Sequence, residues 1–175
     1  AYGETAPPGA LPPLDVERPN VLRMRTFSKA YGLAGLRCGY AIGEREQIRA
    51  FDKVRNHFGV NRMAQAAALA ALADQAWLET IVGKVAAGRD RIAAIAAENG
   101  LAALPSATNF VTIDCGRDGA YAHKVMDALL GAGIFVRKPM APGLDRCIRA
   151  STGPEAELAL FATELPGALA AAAAG

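Results

Sequence analysis

The sequence predicts an α/β protein in two unequal parts, and three observations carry that expectation. After Pro105, short apolar runs of strand character alternate with helical patterns, as in layered α/β folds. Before it, a proline-rich stretch leads into two strand-like runs separated by a glycine-rich turn. Between the two lies a long alanine-rich region with helical periodicity. The expected divisions are residues 1–62, a connection over 63–84 and a smaller α/β domain over 85–175.

Each element has a local reason. Residues 6–19 hold Pro7, Pro8, Pro12, Pro13 and Pro19 and read as irregular loop, because proline fixes φ and removes a backbone donor. Residues 21–26 (VLRMRT) alternate apolar and polar and read as a strand. The glycine-bearing turn at 28–35 leads to residues 36–42 (LRCGYAI), expected as a second, mostly buried strand. Over 44–58 the three-residue spacing of Ile48, Phe51 and Val54 predicts a helix. Asn61 is the expected N-cap of the next helix. Residues 63–72 there are apolar on nearly every side, which predicts a helix buried all round.

Residues 76–99 follow as a long amphipathic helix with Trp77, Ile81, Val85, Ile92 and Ile95 toward one side, stopped by Gly100. Residues 110–115 (FVTIDC) predict a strand, 120–130 a helix, and 134–137 and 147–150 two short strands. Thr152, Pro154 and Glu155 form a helix-start signature for 156–165, with an alanine-rich tail over 168–175 that is helical or frayed.

Composition narrows the function classes. The 175 residues carry 19 basic and 17 acidic side chains, a formal charge of +2, which makes no electrostatic case for nucleic acid as a partner. Apolar stretches such as 64–73 are too short to span a bilayer and the longer ones are interrupted by Lys or Arg, so no membrane partner is expected. Cys38, Cys115 and Cys147 are odd in number and far apart, neither a disulfide framework nor a zinc pattern. His57 and His123 give no paired metal spacing, and no signal-peptide pattern is present. A metal-free protein of a reducing cytoplasm is the expectation.

The chemistry concentrates in residues 26–40, TFSKAYGLAGLRCGY. Lys29 lies between a strand and a glycine-rich turn, flanked by apolar residues; partial burial there would depress its pKa and ready the amine as nucleophile or base. Thr26 and Ser28 add hydroxyls, and Arg37 adds a planar cationic fork suited to phosphate. An amine, two hydroxyls and a guanidinium together suit a phosphorylated carbonyl compound.

That segment resembles the cofactor-lysine segment of fold-type I pyridoxal-phosphate-dependent aminotransferases of class I/II, and within them the histidinol-phosphate branch. Ala1-Tyr2 resembles the end of the family's Asp-Glu-Ala-Tyr strand, and Thr108-Asn109-Phe110 its small-domain strand entry. Residues 133–137 (GIFVR) followed by Ile148-Arg149 resemble its carboxylate-binding region. The resemblance implies that Lys29 carries pyridoxal 5'-phosphate as a Schiff base and later moves the substrate proton. Ser28 and Arg37, with Thr26 as a weaker candidate, would hold the cofactor phosphate. Tyr2 would hydrogen-bond the cofactor's phenolic oxygen, and Arg149 would clamp the substrate α-carboxylate.

The implied reaction is transamination between an amino acid or amino phosphate of the histidinol-phosphate type and a 2-oxo acid. Transamination of aromatic amino acids and decarboxylation of phosphothreonine are the alternatives. The implied enzyme is a cytoplasmic homodimer. The implied fold is the C-terminal part of the family's architecture, a remnant of its large mixed-sheet domain plus a small α/β domain. The aspartate that would pair with the pyridinium nitrogen is expected before Ala1, so the chain is expected to be part of a longer enzyme and catalytically incomplete by itself. Arg137, His57, His123, Trp77 and Cys38 are expected to serve packing, ion pairing or the surface.

Overall fold

The computed structural model describes residues 1–174. The chain forms two compact units, Ala1–Val82 and Gly83–Gly175. In the first, β1 (Leu22–Thr26) pairs antiparallel with β2 (Gly39–Gly43), in register from Leu22 opposite Gly43 to Thr26 opposite Gly39. The ladder closes tightly at Gly39, where a Cβ would meet the Arg25 carbonyl oxygen at 2.7 Å. The second strand therefore starts three residues later than the sequence predicts. Ala34–Leu36 form a 3₁₀ turn, and Arg37 has φ 53°, a left-handed conformation no strand residue adopts. Nor is β2 buried: its residues are half-buried or exposed.

The helix expected over 44–58 is only α1 (Arg45–Ala50), ending in a 3₁₀ turn at Phe51–Lys53. Val54 and Phe58 are exposed, so the apolar spacing beyond the turn finds no surface to pack on. α2 (Arg62–Ala73) begins as expected, with Asn61 Oδ1 accepting from the Ala64 amide at 2.8 Å. Burial is confined to Ala64 and Ala68, one narrow i, i+4 stripe, while Met63 and Leu69 are 76% and 70% exposed. This overturns the expectation of a helix buried all round. α3 (Gln75–Glu98) starts in the first unit and continues into the second, where Gly100, at φ 71°, follows it.

The second unit is built on a three-stranded antiparallel sheet in the order β3 (Ala102–Ala103), β4 (Phe110–Asp114), β5 (Cys147–Ser151). Val111, Ile113, Ile148 and Ala150 turn one face of it to the core. Onto that face pack Ile92 and Ile95 of α3 and Val125 and Leu129 of α4 (Gly119–Gly131). Leu158, Phe161 and Leu165 of α5 (Glu155–Ala174) complete the cluster. α4 is capped by Asp118, whose carboxylate accepts from the Tyr121 amide at 2.8 Å.

Four expectations change here. The strand predicted over 134–137 is reduced to a single bridge between Arg137 and Arg149. Thr152 does not cap α5; its hydroxyl donates to the Asn109 carbonyl at 3.1 Å, tying the end of β5 to the start of β4. α5 also runs unbroken through Pro166 to Ala174, with Leu165, Ala168 and Ala172 buried on either side of the proline. By length and composition α5 could cross a membrane, contrary to the expectation that no stretch could. Its buried side chains belong to the core of the second unit.

Candidate active site

The exit of β1 positions the predicted lysine. Phe27 is 3% exposed, lies against the rings of Tyr31 and Tyr40, and accepts at its carbonyl from the Leu33 amide, which folds residues 27–33 into a tight loop. Ala30 is buried as well. Lys29, between these two anchors, is exposed rather than partly buried as predicted: the loop spends its apolar neighbours on the interior and turns the amine outward. The Lys29 ammonium lies 5.5 Å from the centroid of the Tyr2 ring.

Thr26 and Ser28 form a local pair. The Thr26 hydroxyl donates to Ser28 Oγ at 2.9 Å and accepts from the Ser28 amide at 3.1 Å. Because Ser28 Oγ accepts from Thr26, its own hydrogen is left to donate outward. Arg37 is exposed and gives one of its five donors to the Ala34 carbonyl at 2.6 Å. The structure thus brings Tyr2 to Lys29 and Thr26 to Ser28, and places Arg37 at the end of the same loop.

Sequence reasoning missed what ties the first residues down. Glu4, whose side chain is 6% exposed, accepts from Arg25 Nη2 at 2.5 Å. This hydrogen bond holds the Arg25 guanidinium above its ordinary pKa. A Cβ at Gly3 would come within 3.1 Å of the Arg25 guanidinium carbon. The Thr5 amide and hydroxyl both reach the Tyr2 carbonyl at 3.2 Å. An acid four residues into the chain facing an arginine just before the TFSK run was the available signal.

The second unit holds Arg149, and the fold sets Arg137 opposite it. Arg137 and Arg149 exchange both backbone hydrogen bonds, 3.0 Å and 2.6 Å, which makes them a hydrogen-bonded antiparallel pair with side chains on one face. Arg149 packs its guanidinium 4.4 Å over the Phe110 ring, and its Nε is buried without a hydrogen-bond partner. Arg137 lies 5.9 Å from the Phe135 ring. Like charges side by side cost stability, and so does a buried donor left unpaired. An anion between the two guanidinia would relieve both costs. The expected packing role of Arg137 is met by the Phe135 ring, and the backbone bridge adds its proximity to Arg149.

Of the residues expected to serve packing or the surface, His57 is exposed and Cys38 half-buried, while the other two cysteines, Cys115 and Cys147, are buried. Burial pushes the Cys115 thiol up to about 11 and raises Cys147, so both are protonated packing groups at neutral pH. His123 lies on the exposed face of α4, 3.6 Å from Asp127, and Trp77 is 56% exposed.

Known proteins resemble this chain over most of its length. A family model for aminotransferase class I and II matches residues 1–165. A histidinol-phosphate aminotransferase of Bacillus licheniformis is 43% identical over 157 residues, covering 90% of this chain and 43% of the relative. The crystal structure of histidinol-phosphate aminotransferase from Sinorhizobium meliloti in complex with pyridoxal-5'-phosphate superposes with a TM-score of 0.93 at 54% identity. That match covers 97% of this chain and 47% of the other. An L-threonine-O-3-phosphate decarboxylase from Porphyromonas gingivalis superposes at 0.81 with 25% identity, over 97% of this chain and 53% of its own. The chain thus spans less than half the length of the Bacillus and Sinorhizobium relatives.

Proposed function

The chain belongs to the class I and II aminotransferases, and on that premise we propose that it serves pyridoxal-phosphate-dependent transfer of an amino group between a phosphate-bearing amino substrate of the histidinol-phosphate type and a 2-oxo acid. The observation that carries this reading is the Lys29 amine set over the Tyr2 ring beside the Thr26–Ser28 hydroxyl pair. An amine, two hydroxyls and a guanidinium fit a ligand with one aldehyde and one phosphate. The site's donor chemistry therefore suits pyridoxal phosphate.

In this reading Lys29 holds the cofactor through Nζ. Ser28 donates to its phosphate with Thr26 behind it, Arg37 adds charge-assisted donors, and Tyr2 serves the ring's phenolic oxygen. When bound, the cofactor supplies a conjugated ring that takes up the electron pair released at the substrate α-carbon. The freed Lys29 Nζ takes the α-proton and returns it on the far side of the transfer. Arg149 and Arg137 orient the substrate through its anionic group. A pair of guanidinia matches a dianionic phosphate better than a single carboxylate, and Arg149 alone suffices for the 2-oxo acid. The active enzyme is a cytoplasmic homodimer in this reading.

The arginine pair suits a phosphorylated amino acid equally, so decarboxylation of such a substrate is the second reading. Release of carbon dioxide rather than a 2-oxo product distinguishes it. The direct test is to add pyridoxal phosphate, reduce with borohydride and map the modified peptide. Label on Lys29, lost in Lys29→Ala, is expected. Label spread over other lysines and unchanged in Lys29→Ala would remove the cofactor assignment.

A further inference from the structure

No step of the proposed transfer uses Lys138, which follows Arg137 directly. Its ammonium donates to two backbone carbonyls, that of Gly119 at 2.9 Å and that of Asp145. We propose that Lys138 is a positioning residue: by tying the entry of its loop to the exit and to the start of α4, it holds the Arg137 guanidinium beside that of Arg149, and so favours a doubly charged phosphate over a single carboxylate. The proposal rests on the reading of Arg137 and Arg149 as an anion-binding pair.

The backbone gives Arg137 little other support. It meets Arg149 in an isolated bridge outside any ladder, so no neighbouring pair of residues fixes the register. On one side, buried Val136 anchors the chain in the core. On the other, the chain leaves as a loop over residues 138–146 and returns to β5 at Cys147. Pro139 and Pro142 have no amide to donate, Gly143 has φ 82°, and Met140 is fully exposed. The loop's exit, by contrast, is fixed. Arg146 pairs with Asp114 of β4 at 2.6 Å, and the Arg146 carbonyl accepts from the Cys115 amide at 3.1 Å. The start of α4 lies against the same point: a Cβ at Gly119 would meet the Asp145 carbonyl oxygen at 3.2 Å. Lys138 thus carries the hold of this fixed exit back to the residue beside Arg137. A cation at a helix N-terminus opposes the helix dipole, so its charge serves the loop and not α4.

Charge and position predict different losses. Removing the Lys138 charge would act on every anion in proportion to that anion's charge. A loss of about tenfold for the phosphate dianion would then bring about threefold for acetate. Loss of positioning withdraws Arg137 and leaves Arg149 in place, so acetate should change by less than about twofold.

The test measures binding of inorganic phosphate and of acetate to the full chain, by NMR of each free anion, beside amide exchange of the same variants. Lys138→Met should weaken phosphate about tenfold and leave acetate within about twofold. Arg137→Met should do the same, and the double variant should be no worse than Arg137→Met. Gly119→Ala changes no charge and favours helix at α4, yet it presses on the Asp145 carbonyl; it should weaken phosphate about threefold. In Lys138→Met and Gly119→Ala the Arg137 and Arg149 amides should exchange faster than in the parent, while β4 keeps its protection. Additivity of Lys138→Met with Arg137→Met, an acetate loss in proportion to charge, or unchanged exchange at Arg137 and Arg149 would overturn the proposal. Where Lys138→Met fails to fold, Gly119→Ala decides. If the parent binds no phosphate while exchange responds as expected, the anion-binding reading of the pair fails and the positioning of Arg137 by Lys138 is retained.

Discussion

The two units differ in how they spend their apolar residues. In Gly83–Gly175 the sheet, α3, α4 and α5 close over a continuous cluster that includes fully buried Ile92, Ile113, Leu129, Ile148 and Leu165. In Ala1–Val82 the buried apolar side chains are Phe27, Ala30, Ala64 and Ala68, while Val54, Phe58, Met63 and Leu69 are exposed. Yet the lysine, the hydroxyl pair, Tyr2 and Arg37 all belong to the first unit. The difference teaches that stability and candidate chemistry are carried by different sequence features. One unit is held by area removed from water, the other by hydrogen bonds, ion pairs and tight glycine contacts.

The sharpest way to break that comparison is to truncate one leucine in each unit. Leu129→Ala removes a fully buried side chain and should cost about 3–5 kcal/mol, whereas Leu69→Ala should stay within about 0.5 kcal/mol. Urea unfolding followed by exchange of β4 and β5 amides measures both. In the unsubstituted protein the same amides should exchange far more slowly than those of β1 and β2. Equal costs for the two truncations would mean that Leu69 is covered in solution.

This contrast also explains which parts of the fold were legible in the sequence. β4 declares itself by alternation, and the alternate residues Val111 and Ile113 are the buried ones. Asn61 and Gly100 mark helix ends through local chemistry that needs no partner. What depends on a partner was misread. Alanine-rich α2 has the composition of a core helix but a buried stripe two alanines wide. Pro166 should have ended α5, and packing on both sides carries the helix past it. At the candidate site the motif put forward Lys29, Thr26, Ser28 and Arg37, because a contiguous run reads directly. Glu4 with Arg25, joined through side chains, and Arg137 with Arg149, joined by a backbone bridge, are pairs between distant positions that no contiguous run displays.

A second contrast is the response to alkali. Cys115 is buried in the second unit with its thiol pushed from 9.0 up to about 11. A folded pKa above the unfolded one means stability that is complete below pH 9 and declines as pH rises from 9 toward 11, where only the unfolded chain ionises fully. The loss should be on the order of 2 kcal/mol. Cys115→Ala should begin less stable and show a flatter profile over that window. A parent profile as flat as the variant's would place Cys115 in contact with water.

Arg149 is where the comparison blurs, because it brings candidate chemistry into the well-packed unit. Its buried, unpartnered Nε predicts that Arg149→Met raises thermal stability by about 1 kcal/mol. The same variant should lose binding of inorganic phosphate, followed by phosphorus NMR of the free anion. Arg149→Lys should restore little of that binding, since a point charge replaces a planar fork. A destabilised Arg149→Met would instead assign the residue to packing on Phe110.

The smallest effect lies in the first unit and tests whether polar contacts hold it locally. The Glu44 carboxylate accepts from the Glu46 and Gln47 amides at the start of α1, at 2.9 and 3.1 Å. These bonds keep its pKa below the usual 4.5. A depressed folded pKa contributes stability that is present above 4.5 and disappears as pH falls through the lower folded value. Because the cap serves only one short helix, the consequence should be fraying of its six residues and not unfolding. Amide exchange at Glu46 and Gln47 should accelerate below pH 4.5 while β4 and β5 stay protected. Glu44→Gln should show that fast exchange already at neutral pH. If acid instead released the strands of both units together, the first unit would share the second one's cooperativity, and the division between a packed unit and a polar-bonded one would fail.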